Sequence, residues 1–216
     1  MSTLDLFYEA QPDQQIAMGA QACLLPGFAR PWLDLVMPAL DLIQQQAPFR
    51  HMYTKGGRGM SVQSTACGEF GWISGEHGYG YSAVDPISAR PWPAMPECLS
   101  ELARCAAERA GFSAFAPDNC LINRYLPGAR MGLHQDRDEK DFRAPIVSVS
   151  LGMSATFLFG GHQRSDRPAR TQLNHGDVVV WGGEDRLRFH GVLPVPDVPH
   201  AQLGRQRINL TFRKAR

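Results

Sequence analysis

Residues 144–161 read APIVSVSLGMSATFLFGG: two short runs rich in β-branched and aromatic residues, parted by Gly152 and closed by Gly160 and Gly161. Runs of this length bounded by glycine and proline form strands. The same texture begins at Cys120 and continues in CLINRY (120–125), DVVVWGG (177–183) and RINLTFR (207–213). Several such strands at close spacing predict an antiparallel sandwich or barrel. Upstream the pattern changes. In PWLDLVMPALDLIQQQ (31–46), Trp32, Leu35, Val36, Ala39, Leu42 and Ile43 recur at three- and four-residue spacing. That predicts an amphipathic helix with Pro38 near its first turns or kinking it. ECLSELARCAAERA (97–110), between Pro96 and Gly111, predicts a second helix. The Gly-, Ser- and aromatic-rich stretch 55–86 is expected to form short hairpins with long loops.

The chain has 216 residues, 44% of them hydrophobic, enough to bury one sizeable core. Its 22 Lys+Arg against 21 Asp+Glu leave a net charge of +1, which excludes holding nucleic acid by bulk charge alone; any such contact is local. No apolar run approaches the ~18–20 residues of a membrane span. MSTLDLFYEAQPD carries three acids, and no Lys or Arg precedes Arg30, so a signal peptide is not expected. Cys23, Cys67, Cys98, Cys105 and Cys120 are scattered without a CxxC, which argues against a disulfide scaffold and for a reducing cytoplasm. KGGRGM is not followed by GK[ST], so it is no P-loop. The expected class is mainly β with flanking helices (α+β).

His134 and Asp136 lie two residues apart in LHQDRDE. If the segment is extended, both project to one side and converge on one ion. His190, in RFHGV, is the leading third ligand. Two histidines and a carboxylate on one face of a metal form the facial triad of non-haem Fe(II) oxygenases. HxD is also common by chance, and His175-Gly176-Asp177 offers a second copy, read as turn residues launching the strand VVVW. In 207–213, Arg207, Asn209, Thr211 and Arg213 share one face while Ile208, Leu210 and Phe212 share the other. On the inner face of a barrel the arginines need an anion, and their fork suits a dicarboxylate. On an edge strand they are simply solvated. Asn123 and Tyr125 alternate onto one face and add donors, or belong to an ordinary strand ending in the turn Pro127-Gly128. Trp72, Tyr79 and Tyr81 either stack on bases or form a small core.

In order, NRYLPGARMGLHQDRDE, PIVSVSLG, FGG, HGDVVVWGGEDRLRFHG and INLTFR resemble the bacterial AlkB family of Fe(II)- and 2-oxoglutarate-dependent dioxygenases. MSV (60–62), CG-x-x-GW (67–72), GY-x-YS (78–82) and RPWPAMP (90–96) extend the resemblance over nearly the whole chain. It implies a double-stranded β-helix (jelly-roll) core over residues 91–216, with residues 1–90 as an N-terminal extension, helix and nucleotide-recognition lid, all one compact unit. It implies iron ligands at His134, Asp136 and His190, and 2-oxoglutarate contacts at Asn123, Tyr125, Arg207, Asn209 and Arg213. The division of the two carboxylates between the arginines stays open.

For substrate, the resemblance implies Trp72, Tyr79 and Tyr81, with His134 on the opposite side of the base, Asp138 favouring a cationic base, and Arg164. Thr54, Met60, Arg130 and Glu139 follow at further remove, and Lys55 and Arg58 as phosphate contacts. The implied activity demethylates 1-methyladenine and 3-methylcytosine in DNA, consuming 2-oxoglutarate and O2 and releasing formaldehyde, succinate and CO2. Single strands are favoured because the base must leave its stack. A cytoplasmic monomer without membrane contact is expected. Two other readings stand beside it: the same oxygenase chemistry on RNA, protein or a small metabolite, and a non-enzymatic cupin-like metal-binding module. The lid and residues 193–206 depart from the family pattern. Ser64 stands where a larger apolar residue is expected, a departure that bears on lid packing and substrate range.

Overall fold

All seven residues of the last strand are buried, so both of its faces are covered. The computed structural model that shows this describes residues 14–54, 56–75 and 78–216; Lys55 and the N-terminal residues 1–13 lie outside the described residues. In chain order come β1 (Ile16–Ala17), β2 (Ala22–Leu25), α1 (Leu33–Gln46), β3 (Arg50–Tyr53), β4 (Gly59–Gly68), β5 (Gly71–Gly75), β6 (Gly78–Ser82) and α2 (Glu97–Arg109). Then follow β7 (Asn119–Tyr125), β8 (Met131–His134), β9 (Ile146–Gly152), β10 (Ala155–Phe159), β11 (Ala169–Leu173), β12 (Val178–Trp181), β13 (His190–Val192) and β14 (Arg207–Arg213). An eight-stranded antiparallel sheet runs β1-β2-β12-β9-β14-β7-β4-β3, and a four-stranded one runs β11-β10-β13-β8. β5 and β6 form a separate hairpin. This is the double-stranded β-helix core.

Strand alternation divides the interior into two layers. Ile208, Leu210 and Phe212 of β14 join Val147, Val149, Val178 and Val180 in a cluster covered by Val36, Leu40 and Ile43 of α1 and Leu99, Leu102 and Ala106 of α2. Tyr125, Ile146, Val179 and Trp181 project from the opposite face and pack with Phe157, Phe159 and Val192 of the smaller sheet. β14 lies between β7 and β9, not at an edge, so Arg207, Asn209, Thr211 and Arg213 point into the space between the sheets.

Two expectations need correction. In α1 the buried set is Val36, Ala39, Leu40 and Ile43, while Leu35 and Leu42 stand 60% and 57% exposed: spacing defined the stripe, but contact with the sheet set its centre. Pro38 sits inside α1 on its exposed face, where water can satisfy the carbonyl that lacks an N–H partner. The stretch expected to form short hairpins contains β4, a ten-residue strand paired with β7 along Gln63–Gly68. Its alternation is faint because helices cover one face and the inter-sheet space the other. β2 was not anticipated at all. It pairs with β12, so the large sheet draws strands from both sides of residue 90. Among the described residues no helix is long and apolar enough to cross a membrane.

Candidate active site

His134 ends β8 and His190 begins β13, and they are direct cross-strand partners. Gly191 makes that approach possible: a Cβ there would lie 2.7 Å from the Met131 carbonyl. Asp136 follows β8, and ligand atoms of His134, Asp136 and His190 all lie within 4.8 Å of one another. The Nε2 atoms of the two histidines are each 3.7 Å from the Asp136 carboxylate. His134 Nδ1 lies 2.9 Å from the Gly132 carbonyl and His190 Nδ1 3.1 Å from that of Arg188. Only an N–H bonds a carbonyl, so both rings carry their proton on Nδ1 and aim the Nε2 lone pair inward. Burial, then neighbouring His134, push His190 down to about 3, which keeps it a neutral ligand. Burial raises the Asp136 carboxyl, but Arg213, His190 and His134 outweigh it and hold the group well below the usual range. Two imidazoles and one carboxylate form a donor set that fits Fe(II).

Two buried arginines brace this triad. Arg213 donates from Nε and Nη2 to Asp136 Oδ2 at 2.9 and 2.7 Å. Arg186, 2% exposed, donates to the Asp136 carbonyl (2.7 Å), the Ala144 carbonyl and Glu139 Oε2 (3.1 Å), clamping the loop that carries the carboxylate. The sequence reading missed Arg186. Its signal, one arginine in EDRLRFHG, is indistinguishable there from Arg188.

The large sheet supplies the other wall. Arg207 pairs in register with Tyr125, and Asn209 with Asn123. Arg207 is 1% exposed, lies over the Tyr125 ring at 5.0 Å and donates from Nη2 to Ser150 Oγ at 2.9 Å. Among the described residues its Nε and Nη1 have no hydrogen-bond partner within 3.5 Å, although the Tyr125 side chain lies close enough to stabilise its charge. A buried guanidinium with two idle donors and no acid in contact is the cradle a carboxylate fits. Asn209 is engaged within the sheet: Nδ2 donates to Ser148 Oγ and the Val149 carbonyl, and Oδ1 accepts from Thr211. Asn123, Tyr125, Arg207, Asn209 and Arg213 all border one cavity of about 500 Å³ that also reaches the triad. The donors therefore suit a dicarboxylate lying between Arg207 and the metal ligands.

Trp72, Tyr79 and Tyr81 stand on the β5–β6 hairpin at the mouth of the same cavity. Trp72 and Tyr79 stack at 5.5 Å with 13° between planes. Trp72 Nε1 donates to Asp138 Oδ2 at 2.8 Å, and the Tyr81 hydroxyl to Glu139 Oε1 at 2.5 Å. Glu139 is buried between Arg186 and Arg213, so its charge is engaged internally; Asp138 is exposed. Met60 and Arg164 border the cavity, whereas Thr54 and Arg130 do not. Thr54 accepts the Arg58 N–H in a turn, and Arg130 exchanges backbone bonds with Ser61. Ser64 lies in β4, buried against Asn123, and borders the same cavity as the triad and Trp72.

The second HxD is structural. Asp177 accepts the Gly27 and Asn174 N–H groups, and His175 Nδ1 accepts that of Gly152. Burial, then His200 and Arg30, push His175 down to about 4 from 6.5. The unfolded chain therefore takes up a proton near pH 6.5 that the folded chain refuses until about pH 4, so stability is full above pH 6.5 and falls across that window. Thermal melts from pH 7.5 to 4 check this: His175→Asn, which cannot be protonated, should lose less stability over that range than wild type and bind iron equally well.

The sequence profile of the 2OG-Fe(II) oxygenase superfamily matches residues 21–213. The alpha-ketoglutarate-dependent dioxygenase AlkB of Escherichia coli is 50% identical over 212 residues, covering 98% of each chain. That of Salmonella typhimurium is 49% identical with the same coverage. The solved structure of OsALKBH1 superposes with a TM-score of 0.80 at 26% identity, covering 93% of this chain and 100% of its own.

Proposed function

This chain belongs to the 2OG-Fe(II) oxygenase superfamily, among its AlkB-type alpha-ketoglutarate-dependent dioxygenases, and we propose that it repairs 1-methyladenine and 3-methylcytosine in DNA. Demethylation is oxidative, coupled to 2-oxoglutarate decarboxylation, with formaldehyde, succinate and CO2 as products. The observation that carries this reading is one cavity holding a two-histidine, one-carboxylate triad, an idle buried arginine and an aromatic mouth.

Fe(II), 2-oxoglutarate and O2 supply the oxidising power when bound. His134, Asp136 and His190 would hold the metal, and Arg213 keeps Asp136 ionised and oriented. Arg207 and Tyr125 would take one carboxylate of 2-oxoglutarate, and Asn123 would add a donor along the same wall. Trp72 offers its open face to a flipped base, with His134 across the cavity. Asp138, exposed beside Trp72, favours a cationic methylated base over its neutral parent. Single strands are preferred since their bases leave the stack at least cost. The enzyme acts as a monomer in a reducing cytoplasm, where its free cysteines stay thiols.

Formaldehyde and succinate release on matched methylated single-stranded DNA, duplex DNA, RNA and free nucleosides tests the reading. Single-stranded DNA should lead; turnover of RNA alone would transfer the assignment to that polymer. In the same assay Trp72→Ala should weaken methylated-oligonucleotide binding about 5- to 150-fold, the worth of one base–aromatic stack. It should spare decarboxylation without substrate. Asp138→Asn retains an acceptor for Trp72 yet removes the charge, and should cut the preference for cationic lesions roughly 5-fold, as for one charge pair in a wet site.

A further inference from the structure

β4, β7, β14 and β9 align Ser64, Asn123, Asn209 and Ser150 as successive cross-strand partners, a polar row on the cavity side of a sheet whose other face is apolar. Within the row the two amides differ. Both polar ends of Asn209 are engaged by Ser148, Val149 and Thr211. Asn123, 5% exposed and bordering the cavity, accepts the Ser64 hydroxyl on Oδ1 at 2.7 Å, while no described residue accepts from its Nδ2. We propose that Ser64 is a positioning residue for the cosubstrate: its hydroxyl holds the Asn123 amide with Oδ1 toward β4, so that Nδ2 faces the bound 2-oxoglutarate.

An asparagine amide is close to symmetric in shape, and sterics alone do not choose between its two orientations. The flipped amide presents an oxygen to an anionic ligand, and although its Nδ2 then donates to Ser64 Oγ, the Ser64 proton is left without its acceptor. Ser64 is 4% exposed, and Asn123 Oδ1 is the one acceptor its hydroxyl has among the described residues. Both costs push the same way. The inference rests on the dioxygenase reading, because it assumes 2-oxoglutarate in the cavity.

Three variants test it: Ser64→Ala, Ser64→Val and Ser64→Thr, read by calorimetry of 2-oxoglutarate binding to the Mn(II)-loaded protein, where no turnover intervenes. Ala and Val should bind 2-oxoglutarate about 2- to 13-fold more weakly, the range one hydrogen bond is worth. Thr, which restores the hydroxyl on the bulk of Val, should bind as wild type does. Steady-state kinetics on Ser64→Ala should show the loss in KM for 2-oxoglutarate and not in kcat, with methylated-oligonucleotide affinity unmoved. In an Asn123→Ala background, Ser64→Ala should add nothing. Wild-type affinity in both Ala and Val, a Thr variant as weak as Val, or a loss confined to the oligonucleotide would each overturn the assignment. Failure of the wild-type protein itself to bind 2-oxoglutarate would overturn the dioxygenase reading as well, so the two failures are distinct.

Discussion

His134→Ala should abolish turnover and leave a folded protein. The imidazole is partly exposed, 38% for its side chain, and bonds only its own strand at Gly132, so the fold loses little. The metal loses one of three ligands. Iron affinity should drop by more than about 100-fold, beyond the 10- to 100-fold that follows loss of a group merely supporting a ligand. Formaldehyde and succinate release should fall to background. Asp136→Ala reaches the same endpoint with a structural penalty, because Arg213 is left as a buried cation without its carboxylate. Breaking a buried pair from one side costs about 3–5 kcal/mol, visible as a large fall in melting temperature. Iron content and a melting curve on both variants separate the ligand role from the structural one. A His134→Ala protein that retains iron and demethylates would move the metal elsewhere.

Arg207→Met should all but eliminate 2-oxoglutarate binding while leaving the cofactor-free protein as stable as wild type, or more so. In that state the guanidinium is buried, and among the described residues its polar neighbours are Ser150 and Tyr125, neither of them an acid. Replacing a poorly compensated buried charge by an apolar side chain of similar size is neutral or stabilising. With cosubstrate bound the balance reverses, since a carboxylate deprived of its fork remains desolvated. Truncating one side of such a pair costs about 2–5 kcal/mol, a 30- to 5,000-fold rise in the 2-oxoglutarate requirement. Arg207→Lys should recover part of this, keeping charge without the planar fork. Arg213→Met should behave differently, lowering stability and iron affinity together because its partner is Asp136. Calorimetric titration of 2-oxoglutarate with parallel melts distinguishes the two arginines. Equal losses of stability in both would reject the assignment of Arg207 to the cosubstrate.

Much of this machinery was legible from local pattern. The two faces of 207–213, the strand 120–125, the helix at 97–110 and the HxD at 134–136 each follow from a backbone period of two or 3.6, which acts within a few residues. Residue chemistry adds the rest: a planar fork for carboxylates, imidazole and carboxylate for a metal. β4 escaped because its second half, Ser64–Cys67, is buried on both faces and shows no alternation. Leu35 and Leu42 misled because periodicity defines a stripe and cannot say how far the neighbouring sheet reaches across it.

The amino-acid sequence by itself determined the strand-rich fold class, the alternating faces and which residue types were able to carry iron and dicarboxylate chemistry. Tertiary structure alone decided that β14 lies mid-sheet and not at an edge, and that Thr54 and Arg130 stand away from the cavity. It also decided that Arg186, Ser64 and Glu139 are parts of the site's frame. The physical reason is range. The contacts that settle these matters act over about 3–4 Å between residues far apart in the chain, 77 positions for Arg213 and Asp136 and 59 for Ser64 and Asn123, so only the pairing of distant strands brings them into reach.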